Sequence, residues 1–303
     1  MIKRVIDISQ PSYVRLKNKQ LQVEREQEVL ATIPVEDIGI LILQHPAIVM
    51  TQAAIIACQE NNTVLVFCDK QRLPYSVLLP VSDGHSLHSK VLRHQMEITE
   101  PHRKRLWKQV VQFKITEQAL TLHLLGKNDK PLARMIRQVK SGDPENHEAQ
   151  AAQKYWKLLM GDDFRRDPQS GAMNAVLNYG YAIVRAMVAR SIVGTGLHPA
   201  LGLHHHNQYN GLCLADDIME PFRPWVDHCV YRMLEEMDGV PEINKETKAR
   251  LLGLLSETVI WEEKTLPLMT ACHSLAARLK QAYTEKSTKL IYPKLVSRME
   301  KLL

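Results

Sequence analysis

Four histidines, His198, His204, His205 and His206, crowd one stretch of this 303-residue chain, GTGLHPALGLHHHNQYNGL. Its four glycines and one proline predict a loop, and loops carry function more often than packed elements do. The ordinary reading of such a run is a solvent-facing, inert surface. The next segment, LADDIMEPFRPWVDHCVYRML, changes the context. Leu214, Ile218, Phe222, Val226, Cys229 and Met233 fall at helical spacing, and Asp217 and Glu220 lie three apart on one face. Acids near a helix start also suit the macrodipole, so the pair alone decides little. Pro221 and Pro224 follow Glu220 and should bend the helix beside the acids.

A third acid, Glu148, opens ENHEAQAAQKYWKLLMG and shares a predicted helix face with Ala152, Tyr155 and Leu159. A carboxylate on an inward face needs a cation, a hydrogen-bonding partner or a raised pKa, and an arginine salt bridge would also satisfy it. Glu145 reads as an ordinary acid of the first turn. Two carboxylates and an imidazole with no thiolate nearby form a hard donor set that suits Mg²⁺ or Mn²⁺ better than structural zinc. Such a site activates a hydroxyl and neutralises phosphate oxygens, which is phosphoryl-transfer chemistry.

The elements that must position these residues divide by period. Residues 1–73 alternate or cluster their apolar positions in short blocks, including RVIDIS, YVRLKN, QLQVERE, EVLATIP, IGILIL and TVLVFC, which predicts a small β domain. Residues 74–90 read as a linker. Residues 91–303 read as an all-helical domain, with the clearest helix from Met173 to Val193, whose stripe of Val176, Leu177, Gly180, Ile183, Val184, Met187 and Val188 is core. The expected class is α+β with two domains, the larger helical one catalytic.

A net charge of +6 and a pI near 9.0 favour a polyanionic partner. Basic clusters occur at His102 to Arg105, at Arg165 and Arg166, and from Arg278 through Lys301; Arg165 and Arg166 are the stronger candidates for phosphate contact. Arg223 is divided between pairing with an acid and holding a phosphate. The five cysteines show no CxxC spacing, and neither a signal peptide nor a membrane-length apolar run is present, so a soluble cytoplasmic protein is expected. HExxH, an HD dipeptide and a P-loop are absent, which argues against a metallohydrolase of those kinds and against P-loop ATP hydrolysis. A non-enzymatic DNA-binding scaffold would need the basic surface but neither an inward Glu148 nor the histidine loop.

Four ordered segments, EAQAA, NAVLNYGYAIVRAMVAR, GTGLHPALGLHHHNQYNGL and LADDIMEPFRP, resemble the CRISPR-associated integrase/endonuclease family, particularly its type II members. The resemblance implies a β-sandwich-like N-terminal domain that dimerises, a helical catalytic domain, and assembly of the homodimer with a smaller second adaptation protein that bridges two dimers on double-stranded DNA. It also implies metal ligation by Glu148, by His205 (the histidine three residues after Gly202) and by Glu220, with Asp217 in support. Ala149 stands where many relatives have glycine. The implied reaction is attack by the 3′ hydroxyl of a captured DNA on a phosphate at the edge of a CRISPR repeat.

Overall fold

The computed structural model describes residues 3–80, 87–167, 171–237 and 239–296. Strands occupy Arg4–Ile8 (β1), Tyr13–Lys17 (β2), Gln20–Arg25 (β3), Glu28–Pro34 (β4), Ile38–Leu43 (β5), Val49–Met50 (β6), Val64–Cys68 (β7) and Pro74–Leu78 (β8), with the α-helix Gln52–Glu60 (α1) among them. They form two four-stranded sheets, β4-β3-β2-β6 and β1-β5-β7-β8. In the second sheet β1, β5 and β7 run parallel and β8 is antiparallel.

The run IGILIL explains how the halves join. All six residues of β5 are buried, as expected for a parallel strand covered on both faces. Ile38, Leu41 and Leu43 pack in a small core with Val14, Leu21, Val23 and Ile33 of the other sheet and with Ala54 and Cys58 of α1. Ile40 and Ile42 belong instead to the large core, which the helices fill. One sheet therefore serves two cores.

Nine more α-helices follow among the described residues: His88–Met96 (α2), Glu100–Leu124 (α3), Lys130–Ile136 (α4), His147–Met160 (α5), Ala172–Gly194 (α6), Cys213–Met219 (α7), Arg223–Glu236 (α8), Lys245–Gly253 (α9) and Leu268–Thr284 (α10). The predicted helix over 173–193 is α6, which is buried along almost its whole length at the centre of the large core. The bend predicted at the prolines is a 3-10 turn over Glu220–Phe222 that separates α7 from α8.

Two expectations need correction. Residues 74–78, assigned to a 74–90 linker, form β8, whose Val77 and Leu78 pair with Val66 and Leu65 of β7; Pro74 is tolerated because it opens the strand. Residues 81–86 of that linker lie outside the described residues, and α2 begins at His88. The region from 91 onward is not all helical: Thr258–Trp261 (β9), Lys264–Pro267 (β10) and Lys294–Leu295 (β11) form a sheet in the order β10-β9-β11. The tight reversal between β9 and β10 is made by Glu262 and Glu263 at positive φ, with no glycine to announce it.

Candidate functional site

Three elements bring the acids and the histidine loop together. Glu148 stands in the first turn of α5, where Asp143 accepts hydrogen bonds from the backbone N–H of both His147 and Glu148, each at 2.9 Å. Asn146, in the left-handed region, adds the cap. The fully inward positions of this helix are His147, Ala151, Tyr155 and Leu159, so Glu148 sits at the edge of the buried face and keeps some solvent contact. Ala149 is exposed.

Glu220, in the 3-10 turn, is almost wholly buried. Arg223 donates from Nε to its Oε1 at 2.7 Å. Its Oε2 meets Lys114 Nζ at 2.5 Å and is otherwise buried without a hydrogen-bond partner. The same Nζ donates to Glu148 Oε1 at 2.7 Å. Two carboxylates from different elements thus converge on a single ammonium carried by α3. Burial alone would push the Glu220 carboxyl up, but Arg223 and Lys114 outweigh it and hold the group at about 2. Burial likewise works against the charge on Lys114, while Glu220 and Glu148 hold its pKa above the ordinary lysine value.

Asp217 is fully buried, and both its oxygens are committed to the histidine loop. Oδ2 accepts from the backbone N–H of Leu203 at 2.6 Å and of His204 at 3.0 Å. Oδ1 accepts from the backbone N–H of His205 at 3.3 Å and stands 2.6 Å from its Nδ1. Asp217, expected as a supporting ligand, is therefore the loop's anchor and orients His205 through Nδ1, the kind of carboxylate–histidine pairing that fixes ligand imidazoles. The hydrogen bond to Asp217 raises the His205 pKa despite partial burial, and the nearby Glu220 and Glu148 charges add to it. Gly202 is required for this fold of the loop: a Cβ there would stand 2.3 Å from the His205 carbonyl oxygen and 2.9 Å from Asp217 Oδ2.

His204 does something else. Its ring stacks on buried Trp107 of α3, with centroids 4.4 Å apart and planes 4° from parallel. Burial, partly offset by Asp217, lowers its pKa. His206 is exposed. His198 lies elsewhere, its backbone amide and carbonyl bonded to the Gln95 side chain of α2.

Behind the acids lies a buried polar chain. The Arg223 guanidinium sits 4.6 Å from the Tyr181 ring centre, and Arg166 sits over the same ring at 5.2 Å. Tyr181 donates its hydroxyl to buried Asp227. Burial raises the Asp227 pKa to about 7 against the hydrogen bonds from Tyr181 and Tyr155. Arg166 also donates to Asn174 at 2.7 Å and to Asn178 at 2.6 Å. Of the arginines predicted to contact DNA, Arg165 is exposed, Arg166 is partly buried in these contacts, and Arg223 is engaged with Glu220. In the basic cluster at 102–105, His102 is buried. Arg298 and Lys301 of the C-terminal cluster lie outside the described residues.

The sequence reading missed Lys114 and Trp107. The signal for Lys114 was present: Val110, Val111, Ile115, Ala119 and Leu122 form an apolar stripe at helical spacing, and Lys114 and Gln118 fall inside it. A lysine on an inward face needs a partner for its ammonium, which a buried acid supplies.

The family model described as CRISPR associated protein Cas1 matches residues 6–252. The chain belongs to the Cas1 family. A CRISPR-associated endonuclease Cas1 of Neisseria meningitidis is 34% identical over 292 residues, covering 95% of each chain. Among solved structures, a casposase bound to its integration product superposes with a TM-score of 0.78 at 19% identity, over 96% of this chain and 92% of that one. The Cas1 fold recurs in a Cas6-RT-Cas1–Cas2 complex, at a TM-score of 0.74 and 18% identity, over 97% of this chain and 36% of that one. Among the described residues of this Cas1 chain, no helix is long and apolar enough to cross a membrane.

Among the same residues, no three His, Cys, Asp or Glu side chains stand together closely enough to hold a metal ion as placed. The donor chemistry nevertheless fits one. Glu148 and Glu220 already share a cation, Glu220 Oε2 has no partner beyond that cation, and with Nδ1–H given to Asp217 the His205 ring keeps Nε2 as its donor atom.

Proposed function

We propose that this chain is a cytoplasmic DNA integrase of CRISPR adaptation, with related DNA endonuclease activity, dependent on Mg²⁺ or Mn²⁺ held by Glu148, His205 and Glu220. The observation that carries the reading is the convergence of Glu148 and Glu220 on one cation, beside a histidine loop locked in place by Asp217. The relatives' names, an endonuclease and a casposase bound to its integration product, point the same way. When bound, the ion lowers the pKa of an attacking hydroxyl and neutralises charge on the scissile phosphate.

The chain's own residues supply the rest. Asp217 fixes the loop and the tautomer of His205, and Arg223 holds Glu220 ionised throughout the physiological range. In the reaction a DNA 3′ hydroxyl forms a new bond to a phosphorus at the edge of a repeat, and the bond to the existing 3′ oxygen breaks. The exposed Arg165, with Arg166 beside it, contacts the DNA backbone. The functional unit is a homodimer, and a second adaptation protein bridges two dimers; the Cas2 named in the related complex supports such a partner.

The test is a strand-transfer assay with that second protein and repeat-containing duplex DNA. Product is expected with Mg²⁺ or Mn²⁺, and none with chelator or with Glu148→Ala, whose DNA binding is retained. Full activity of Glu148→Ala overturns the assignment.

A further inference from the structure

Lys114 is unusual in its position. Its side chain is about nine-tenths buried, on an otherwise apolar stripe of α3, and its ammonium stands between Glu148 Oε1 at 2.7 Å and Glu220 Oε2 at 2.5 Å. Glu220 Oε2 is buried and has no other partner. Arg223 sits on the other oxygen of Glu220, so the four groups sum to zero formal charge. A divalent cation added to that set would leave two uncompensated positive charges in a buried cluster, at a large desolvation and repulsion cost. Lys114 thus occupies one oxygen of each of the two carboxylates that would hold the ion.

We propose that Lys114 is a resident counter-ion that competes with the divalent cation for the Glu148 and Glu220 carboxylates, and that loading the site requires its ammonium to leave them. The inference rests on the metal-site reading above. A lysine suits this role because its charge is a point on a flexible four-carbon stem and can swing away while the helix stays in place. Arginine does not: its planar fork can hold two carboxylates through several hydrogen bonds at once. Between turnovers Lys114 keeps two adjacent acids from repelling each other, at the cost of weaker metal binding.

The experiment measures Mn²⁺ affinity of the full chain by calorimetry and thermal stability in chelator, for wild type, Lys114→Met and Lys114→Arg. Lys114→Met should melt lower in chelator, bind Mn²⁺ about tenfold more tightly than wild type, and gain more stability from it. Lys114→Arg keeps a positive charge between the two acids, and should bind Mn²⁺ at least about fivefold more weakly. Equal or weaker binding to Lys114→Met, or unchanged binding to Lys114→Arg, overturns the role of Lys114 alone. Absence of Mn²⁺ binding to wild type and Lys114→Met together overturns the metal-site reading and this inference with it.

Discussion

At the scale of single residues, the site is organised by charges that hold one another. The sequence points to Glu148 by its place on a predicted inward helix face, where an acid is costly unless compensated, and to Glu220 by its spacing from Asp217 and the prolines that follow it. What compensates them was not legible, since Lys114 stands 34 residues before Glu148 and only the fold brings the two together. Asp217 was legible as an acid three residues before Glu220, but its role depends on four contacts that no spacing reveals. Asp227 offers a test of the buried chain behind the site. Burial raises its pKa from 3.8 to about 7, so the folded state binds the proton more tightly than the unfolded state. Its contribution to stability is complete below 3.8 and is lost as pH rises through about 7. Asn at this position does not titrate. The melting temperature of Asp227→Asn minus that of wild type should therefore be more positive at about pH 8 than at about pH 5; a difference independent of pH contradicts a protonated Asp227.

At the scale of elements, long periodic stretches were legible and short ones were not. The helix predicted over 173–193 is α6 nearly to its ends, because a continuous apolar stripe buried on many sides leaves little choice. The strand β8 escaped because a proline opens it, and β9 and β10 because a Glu-Glu pair makes their turn. The β3–β4 reversal likewise lacks glycine and uses Glu26 and Gln27, both at positive φ. The histidine loop, by contrast, depends on a glycine. In Gly202→Ala the new methyl group would meet the His205 carbonyl oxygen, a backbone atom, so the loop must move. We expect a loss of about 1–3 kcal/mol in stability and at least about a hundredfold in strand transfer. Gly211, where an added Cβ meets nothing within 4 Å, is the control, and Gly211→Ala should resemble wild type. Equal behaviour of the two variants in both measurements contradicts the role given to Gly202.

At the scale of the whole molecule, the division into a β half and a helical half was legible from the change of period, but the way the halves join was not. The apolar run IGILIL says that β5 has two apolar faces without saying that they belong to different cores. In the fold, Leu41 and Leu43 serve the small core while Ile40 and Ile42 serve the large one. Lys248 of α9 reaches across as well, donating to Gln44 Oε1 at 2.7 Å, and Gln44 in turn donates to Asp7. Halves that share a sheet in this way should unfold together, so the chain should show one calorimetric transition whose calorimetric and van't Hoff enthalpies agree. Two separated transitions contradict the shared core. The most direct test of the whole scheme is a crystal soaked in Mn²⁺ and measured at the manganese absorption edge. The predicted result is one anomalous peak per chain, bounded by Glu148, Glu220 and His205; a peak elsewhere, or no peak at a saturating concentration, contradicts it.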